Sequence, residues 1–130
     1  MEQKKNIRPR VAIIGGGFGG IHLAKKLKDA PVDVLMIDKH NYHTFQPLLY
    51  QVAGGSIAAD SIGFPLRRIF TRQKNFRFAL AEVKKINAEN NTLDTDIGTI
   101  YYDYLAIATG SNTNFFGNKE IEHFAMPMKN

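Results

Sequence analysis

The chain has 130 residues, a length suited to one domain, with 44% hydrophobic and 22% charged residues, a globular balance that excludes disorder and low complexity. It has no cysteine, which excludes disulfides, thiolate metal sites and redox dithiols. The net charge of +5 arises within residues 1–30, which hold seven Lys/Arg against two acids, whereas the remaining hundred hold ten of each.

That charge sits in an N-terminal arm (residues 1–9, with Lys4, Lys5 and Arg8, continued by Arg10) and at the end of the first predicted helix (Lys25, Lys26, Lys28). Cations suit the negative end of a helix, so a solvated arm and helix face are favoured over nucleic-acid binding, for which no recognition module is present. Polar and charged residues run to Arg10, so the start lacks the apolar core of a signal peptide, and no apolar run has membrane-spanning length; a soluble chain is expected.

Residues 11–15 read as a first strand, residues 18–29 as a helix stopped by Ala30-Pro31, and residues 33–38 as a second strand. Between strand and helix lie Gly15, Gly17 and Gly20, in the spacing G-x-G-x-x-G. Strand, glycines, helix is the context that a dinucleotide-binding loop requires. Gly15 lets the chain turn sharply out of the strand. Gly17, without a Cβ, lets backbone approach a pyrophosphate, and Gly20 lets the helix pack on the strand. The helix N-terminus then offers unpaired N–H groups and a positive dipole end to a diphosphate. Asp38 closes the second strand, 23 positions after Gly15, about where an acid that bonds a ribose hydroxyl should stand.

Beyond Lys39 the pattern breaks. His40-Asn41-Tyr42-His43 reads as a link, Pro47 as the opening of a short helix through Val52, and Pro65 as the opening of another through Phe70. Residues 76–80 form a third parallel strand. Residues 82–86, 91–95 and 99–102 form a small antiparallel meander, and residues 104–108 a last buried strand ending in Thr109-Gly110. The tail from Phe115 shows no period. The fold class is therefore α/β: a parallel sheet in the order 3-2-1-4, with helices on its faces and an antiparallel β-meander inserted before the last strand.

Few side chains suggest chemistry by themselves. His40 and His43 beside Asp38 lack a third ligand and a helical context, so no metal site is expected. Tyr101, Tyr102 and Tyr104 fit strand alternation better than a stacking surface. Arg67, Arg68, Arg72, Lys74 and Arg77 read as a solvated face, with an anionic partner as the alternative. No catalytic dyad or triad has a supporting spacing. The segment TFQPLLYQVAGG (Thr44–Gly55) either lies at the ligand-binding end of the sheet or packs as a short amphipathic helix over it; the residues leave both open.

Four motifs in order, VAIIGGGFGGIHLAKKL, VLMIDKHNYHTFQPLLYQVAGGSI, FPLRRIF and YYDYLAIATGSNTNFFG, resemble the amino-terminal part of type II NADH dehydrogenases. These are FAD-containing NADH:quinone oxidoreductases of the respiratory chain, in the two-dinucleotide-binding-domain flavoprotein superfamily. The resemblance implies a Rossmann-like FAD-binding domain. Gly15, Gly17 and Gly20 would hold the FAD pyrophosphate, with Gly16, Phe18 and Gly19 lining it. Asp38 would bond the adenosine ribose with Lys39 beside it, and the backbone of Val83 would meet the adenine. Thr109 and Gly110 would close over the cofactor, and Gln46, Pro47 and Leu48 would lie near its isoalloxazine. The flavin then carries the chemistry from NADH to a quinone, which agrees with the lack of a catalytic dyad.

The family also implies peripheral attachment to the cytoplasmic face of the inner membrane through segments not in this sequence, and leaves a homodimer open. Its members are about three times as long and carry a second glycine loop for NADH. Residues 1–130 are thus expected to be the first half of a discontinuous FAD/NAD(P)-binding domain, with little or no dehydrogenase activity alone. A sulfide:quinone oxidoreductase, a non-catalytic nucleotide-binding module and an NAD-only domain are the alternatives.

Overall fold

A computed structural model describes residues 8–127, so Lys4 and Lys5 of the basic arm lie outside the described residues. Strand β1 (Arg10–Ile14) leads through the glycines into helix α1 (Phe18–Lys26), and strand β2 (Asp33–Asp38) lies parallel to β1. Two short strands follow, β3 (Tyr42–Thr44) and β4 (Gly63–Pro65), paired antiparallel around a 3-10 turn at Gln46–Leu48, helix α2 (Leu49–Ala53) and a second 3-10 turn at Ala59–Ile62. Helix α3 (Leu66–Ile69) precedes strand β5 (Phe76–Leu80). Strands β6 (Val83–Asn87), β7 (Thr92–Thr95) and β8 (Gly98–Tyr101) form the meander, strand β9 (Tyr104–Ile107) follows, and helix α4 (Lys119–Phe124) lies in the tail.

The main sheet is parallel, in the order β5-β2-β1-β9, which is the expected 3-2-1-4. Successive side chains of a strand face opposite ways, so each strand serves two cores. Val11, Ile13, Val34 and Met36 pack with Ile21 and Ala24 of α1 and with Leu66 and Phe70. Ala12, Ile14 and Ile37 pack with Ala81, Leu93 and Tyr102. Helices therefore cover one face and the meander covers the other, where the sequence pattern leads one to expect helices as well. Tyr102, between β8 and β9, is buried in that second core while Tyr101 and Tyr104, which end β8 and open β9, are exposed, so a single strand's alternation does not account for the three.

Three local expectations change. Helix α1 stops at Lys26, and residues 27–30 continue only as turns. The β3–β4 pair was not legible, because three-residue strands show no period. Helix α4 is capped by the Asn118 side chain, which accepts from the Glu120 and Ile121 N–H groups, a local signal inside an aperiodic tail. No described helix is long and apolar enough to cross a membrane.

The early stop of α1 has a tertiary cause. The Gln73 side-chain amide donates to the Ala24 carbonyl at 2.9 Å, and Asn75 Nδ2 faces the carbonyls of Leu27, Ala30 and Val32 at 2.9, 3.3 and 3.0 Å. Both residues are buried just before β5, so this edge strand ties down the carbonyls that a helix end leaves without partners. The Asn75 Oδ1 is buried with no hydrogen-bond partner, which offsets part of the gain. Asn75→Ala should lower the unfolding free energy by about 1.5 kcal/mol, and Asn75→Asp by at least as much, since a carboxylate cannot donate. Urea unfolding at unchanged slope measures this, and equal stability of all three proteins would refute the tether.

Candidate functional site

The carboxyl ends of all four parallel strands open into one cleft of about 970 Å³. β1 delivers Ile14 and Gly15, and β2 delivers Ile37, Asp38, Lys39 and His40. β5 leads into Ala81, Glu82 and Val83, and β9 into Ala108 through Asn112. The chain runs outward from β1 to β2 and β5, then returns to the other side of β1 as β9. Gly15 stands at that reversal, the place where open parallel sheets bind ligands.

Each glycine of the motif has its own surroundings. Gly15 has φ +107°, and a Cβ there would overlap the carbonyl of Ala108 beside it. A Cβ on Gly20 would overlap the Gly15 carbonyl oxygen, so the first turn of α1 can pack on the strand exit only with glycine at position 20. Gly17, the N-cap of α1, is the opposite case: nothing lies within 4 Å of its Cβ position, which faces open space. Its carbonyl accepts from the Ile21 N–H at 3.0 Å, and the first N–H groups of the helix have no intrahelical acceptor.

Asp38 reaches back to the loop: Oδ2 accepts from the Gly16 N–H at 2.6 Å and Oδ1 from the His40 N–H at 2.8 Å. His43, on β3, has Nδ1 3.2 Å from the Gly16 carbonyl, and its ring meets the Phe18 ring edge-on at 4.8 Å. Phe18 in turn packs against Phe45 at 5.7 Å.

Ten of the twelve candidate residues line the cleft: Gly15, Gly17, Phe18, Gly19, Asp38, Lys39, Gln46, Val83, Thr109 and Gly110. Gly16 and Gly20 do not; both are buried, Gly16 against Leu66 and Gly20 against Gly15. Gln46 reaches the cleft from the 3-10 turn, whereas Pro47 and Leu48 do not line it. Helix α2 buries none of its residues, so it does not act as a core helix over the sheet. Sequence reading passed over Glu82, Ser111 and Asn112, which also line the cleft. Each follows the carboxyl end of a parallel strand, and that position alone would have marked it. Among the described residues, no three His, Asp or Glu side chains gather as a metal site. The five basic residues between Arg67 and Arg77 are all exposed.

Comparison with known proteins adds a family. Residues 9–127 match the model of the pyridine nucleotide-disulphide oxidoreductases. The chain is 46% identical over 126 residues to the type II NADH:quinone oxidoreductase NdhA of Mycobacterium tuberculosis, covering 94% of this chain and 27% of that protein. It is 42% identical, with the same coverage, to Ndh of the same organism. Its fold is similar to NDH2 from Plasmodium falciparum in complex with NADH, at TM-score 0.81 and 26% identity, covering 91% of this chain and 25% of that one. It is also similar to the sulfide:quinone oxidoreductase from Aquifex aeolicus, at TM-score 0.78 and 32% identity, covering 86% and 27%. The chain thus spans about a quarter of the length of the relatives it matches.

The glycine geometry separates two substitutions. Gly20→Ala should cost about 3 kcal/mol, the upper range for over-packing against fixed backbone, while Gly17→Ala should cost at most about 1 kcal/mol, the loss of glycine at an N-cap. Thermal or chemical unfolding of the two variants ranks them, and a less stable Gly17→Ala would contradict the packing described.

Proposed function

The chain belongs to the pyridine nucleotide-disulphide oxidoreductase family, and on that premise we propose that it is the FAD-binding part of an NADH:quinone oxidoreductase. The observation that carries this reading is the meeting of the glycine loop, Asp38, Val83 and Thr109-Gly110 around one cleft, in a chain 46% identical to a type II NADH:quinone oxidoreductase. Residues 1–130 then act as the first half of a discontinuous FAD domain, as their quarter share of the relatives' length suggests.

The cleft suits such a cofactor. The open space at Gly17 leaves room for a diphosphate against backbone N–H groups, and Gly15 and Gly20 bring the helix N-terminus to that point. Asp38 uses one acceptor site on each oxygen for backbone N–H groups, and each oxygen keeps another for a ribose hydroxyl. Val83 offers backbone to the adenine, with Lys39 near the ribose. Thr109 and Gly110, which turns with φ +72°, would close over the cofactor, and Gln46, which also lines the cleft, would lie near its isoalloxazine. When bound, FAD supplies the two-electron chemistry between NADH and quinone. These residues bind and orient it. Gly16 and Gly20 contribute by holding the loop's shape.

A second reading keeps the quinone and changes the donor to sulfide, favoured by the 32% identity to the Aquifex structure. The higher identities to relatives named type II NADH:quinone oxidoreductases favour NADH as the donor. We extend the proposal to a protein held on the cytoplasmic face of the inner membrane by segments outside this chain.

The binding reading is tested by titrating the purified chain with FAD and with NAD, then measuring retained flavin absorbance after desalting. FAD should bind, and Gly17→Val should weaken it by about 100-fold or more by placing a branched side chain where the diphosphate lies. Retention of NAD and not FAD, or full binding by Gly17→Val, would overturn the proposal.

A further inference from the structure

We infer that His43 is a positioning residue for the glycine-rich loop: it holds the Gly16 carbonyl, and so turns the Gly17 N–H toward the cleft. The inference rests on the FAD-binding reading above and assigns a role to a residue outside the cleft lining.

Three observations carry it. First, the Gly16 carbonyl can only accept, so the 3.2 Å contact requires the hydrogen on His43 Nδ1. Second, no described peptide bond is cis, and in a trans peptide the C=O of Gly16 and the N–H of Gly17 point in opposite directions. His43 does not border the cleft whereas Gly17 does, so a Gly16 carbonyl held toward His43 directs the Gly17 N–H away from His43, to the side on which Gly17 lines the cleft. Third, residue 16 is held from both ends. Asp38 Oδ2 takes its N–H at 2.6 Å while His43 takes its carbonyl. With no side chain to restrain it, a glycine peptide can flip readily, and these two bonds stop it. The His43 ring also buttresses Phe18 edge-on at 4.8 Å, where Phe18 starts α1 and lines the cleft. The hydrogen bond sets the peptide, and the ring contact supports the residue after it.

Two substitutions divide these contributions. Asparagine places an amide N–H near the position of Nδ1 without a ring, and phenylalanine keeps a ring without a donor. His43→Asn should bind FAD within about threefold of the parent chain, and His43→Phe about tenfold more weakly, the effect of losing one hydrogen bond. In the chain without cofactor, nitrogen NMR should show His43 as the Nδ1–H tautomer. The Gly17 amide resonance should move in His43→Phe and stay in His43→Asn, a signature that a general packing role would not produce. An Nε2–H tautomer, an unmoved Gly17 resonance in His43→Phe, or equal FAD affinity of the two variants would overturn the inference. If the parent chain, as the first half of a discontinuous FAD domain, retains no FAD, the NMR comparison alone decides the role of His43.

Discussion

Two close backbone approaches, one at Gly20 and one at Gly15, set the geometry on which the rest depends. A Cβ at Gly20 would overlap the Gly15 carbonyl, and one at Gly15 would overlap Ala108 at the end of β9. Backbone of β1, of the first turn of α1 and of the β9 exit therefore lie in direct contact. Any larger side chain would push the helix away from the sheet. Because the contact is backbone to backbone, the N-terminus of α1 is brought to the reversal point of the sheet, where its free N–H groups face a ligand-sized cleft.

The other end of α1 is fixed by different means. Gln73 and Asn75, buried ahead of β5, hold the carbonyls of the helix end and of the turns after it. One helix is thus held by close packing at its start and by side-chain amides at its finish. The sheet is covered asymmetrically in consequence. Helical segments fill one face, and the meander fills the other through Leu93, with Ala81 and Tyr102 just before and after it. The meander also carries the chain from β5 to the far side of β1, which lets β9 contribute Ala108 to Asn112 to the cleft.

The cleft has the character of a cofactor site more than of a catalytic centre. Its lining combines glycine backbone, one carboxylate aimed at the loop and residues from four strand ends. The chain belongs to the pyridine nucleotide-disulphide oxidoreductase family, and under the proposed reading the bound FAD would bring the reactive atoms and these residues its orientation.

Much of this was legible in the residues because the signals are local. Buried parallel strands read as apolar runs, so residues 11–14, 34–37 and 104–108 announced the sheet. Glycine spacing announced the loop, and turn residues announced the meander. Asp38 could be placed because it closes a strand at a set distance from the glycines. The tertiary structure alone decided what depends on contacts between distant segments. It separated glycines that face the cleft, such as Gly17, from those buried beneath it, Gly16 and Gly20. It ended α1 at Lys26 through amides from Gln73 and Asn75, and it paired β3 with β4, whose strands are too short to carry a period. It brought His43 under the Gly16 carbonyl, 27 positions away. Periodicity records which way a side chain faces within its own element. Which backbone it meets there is a property of the packed chain.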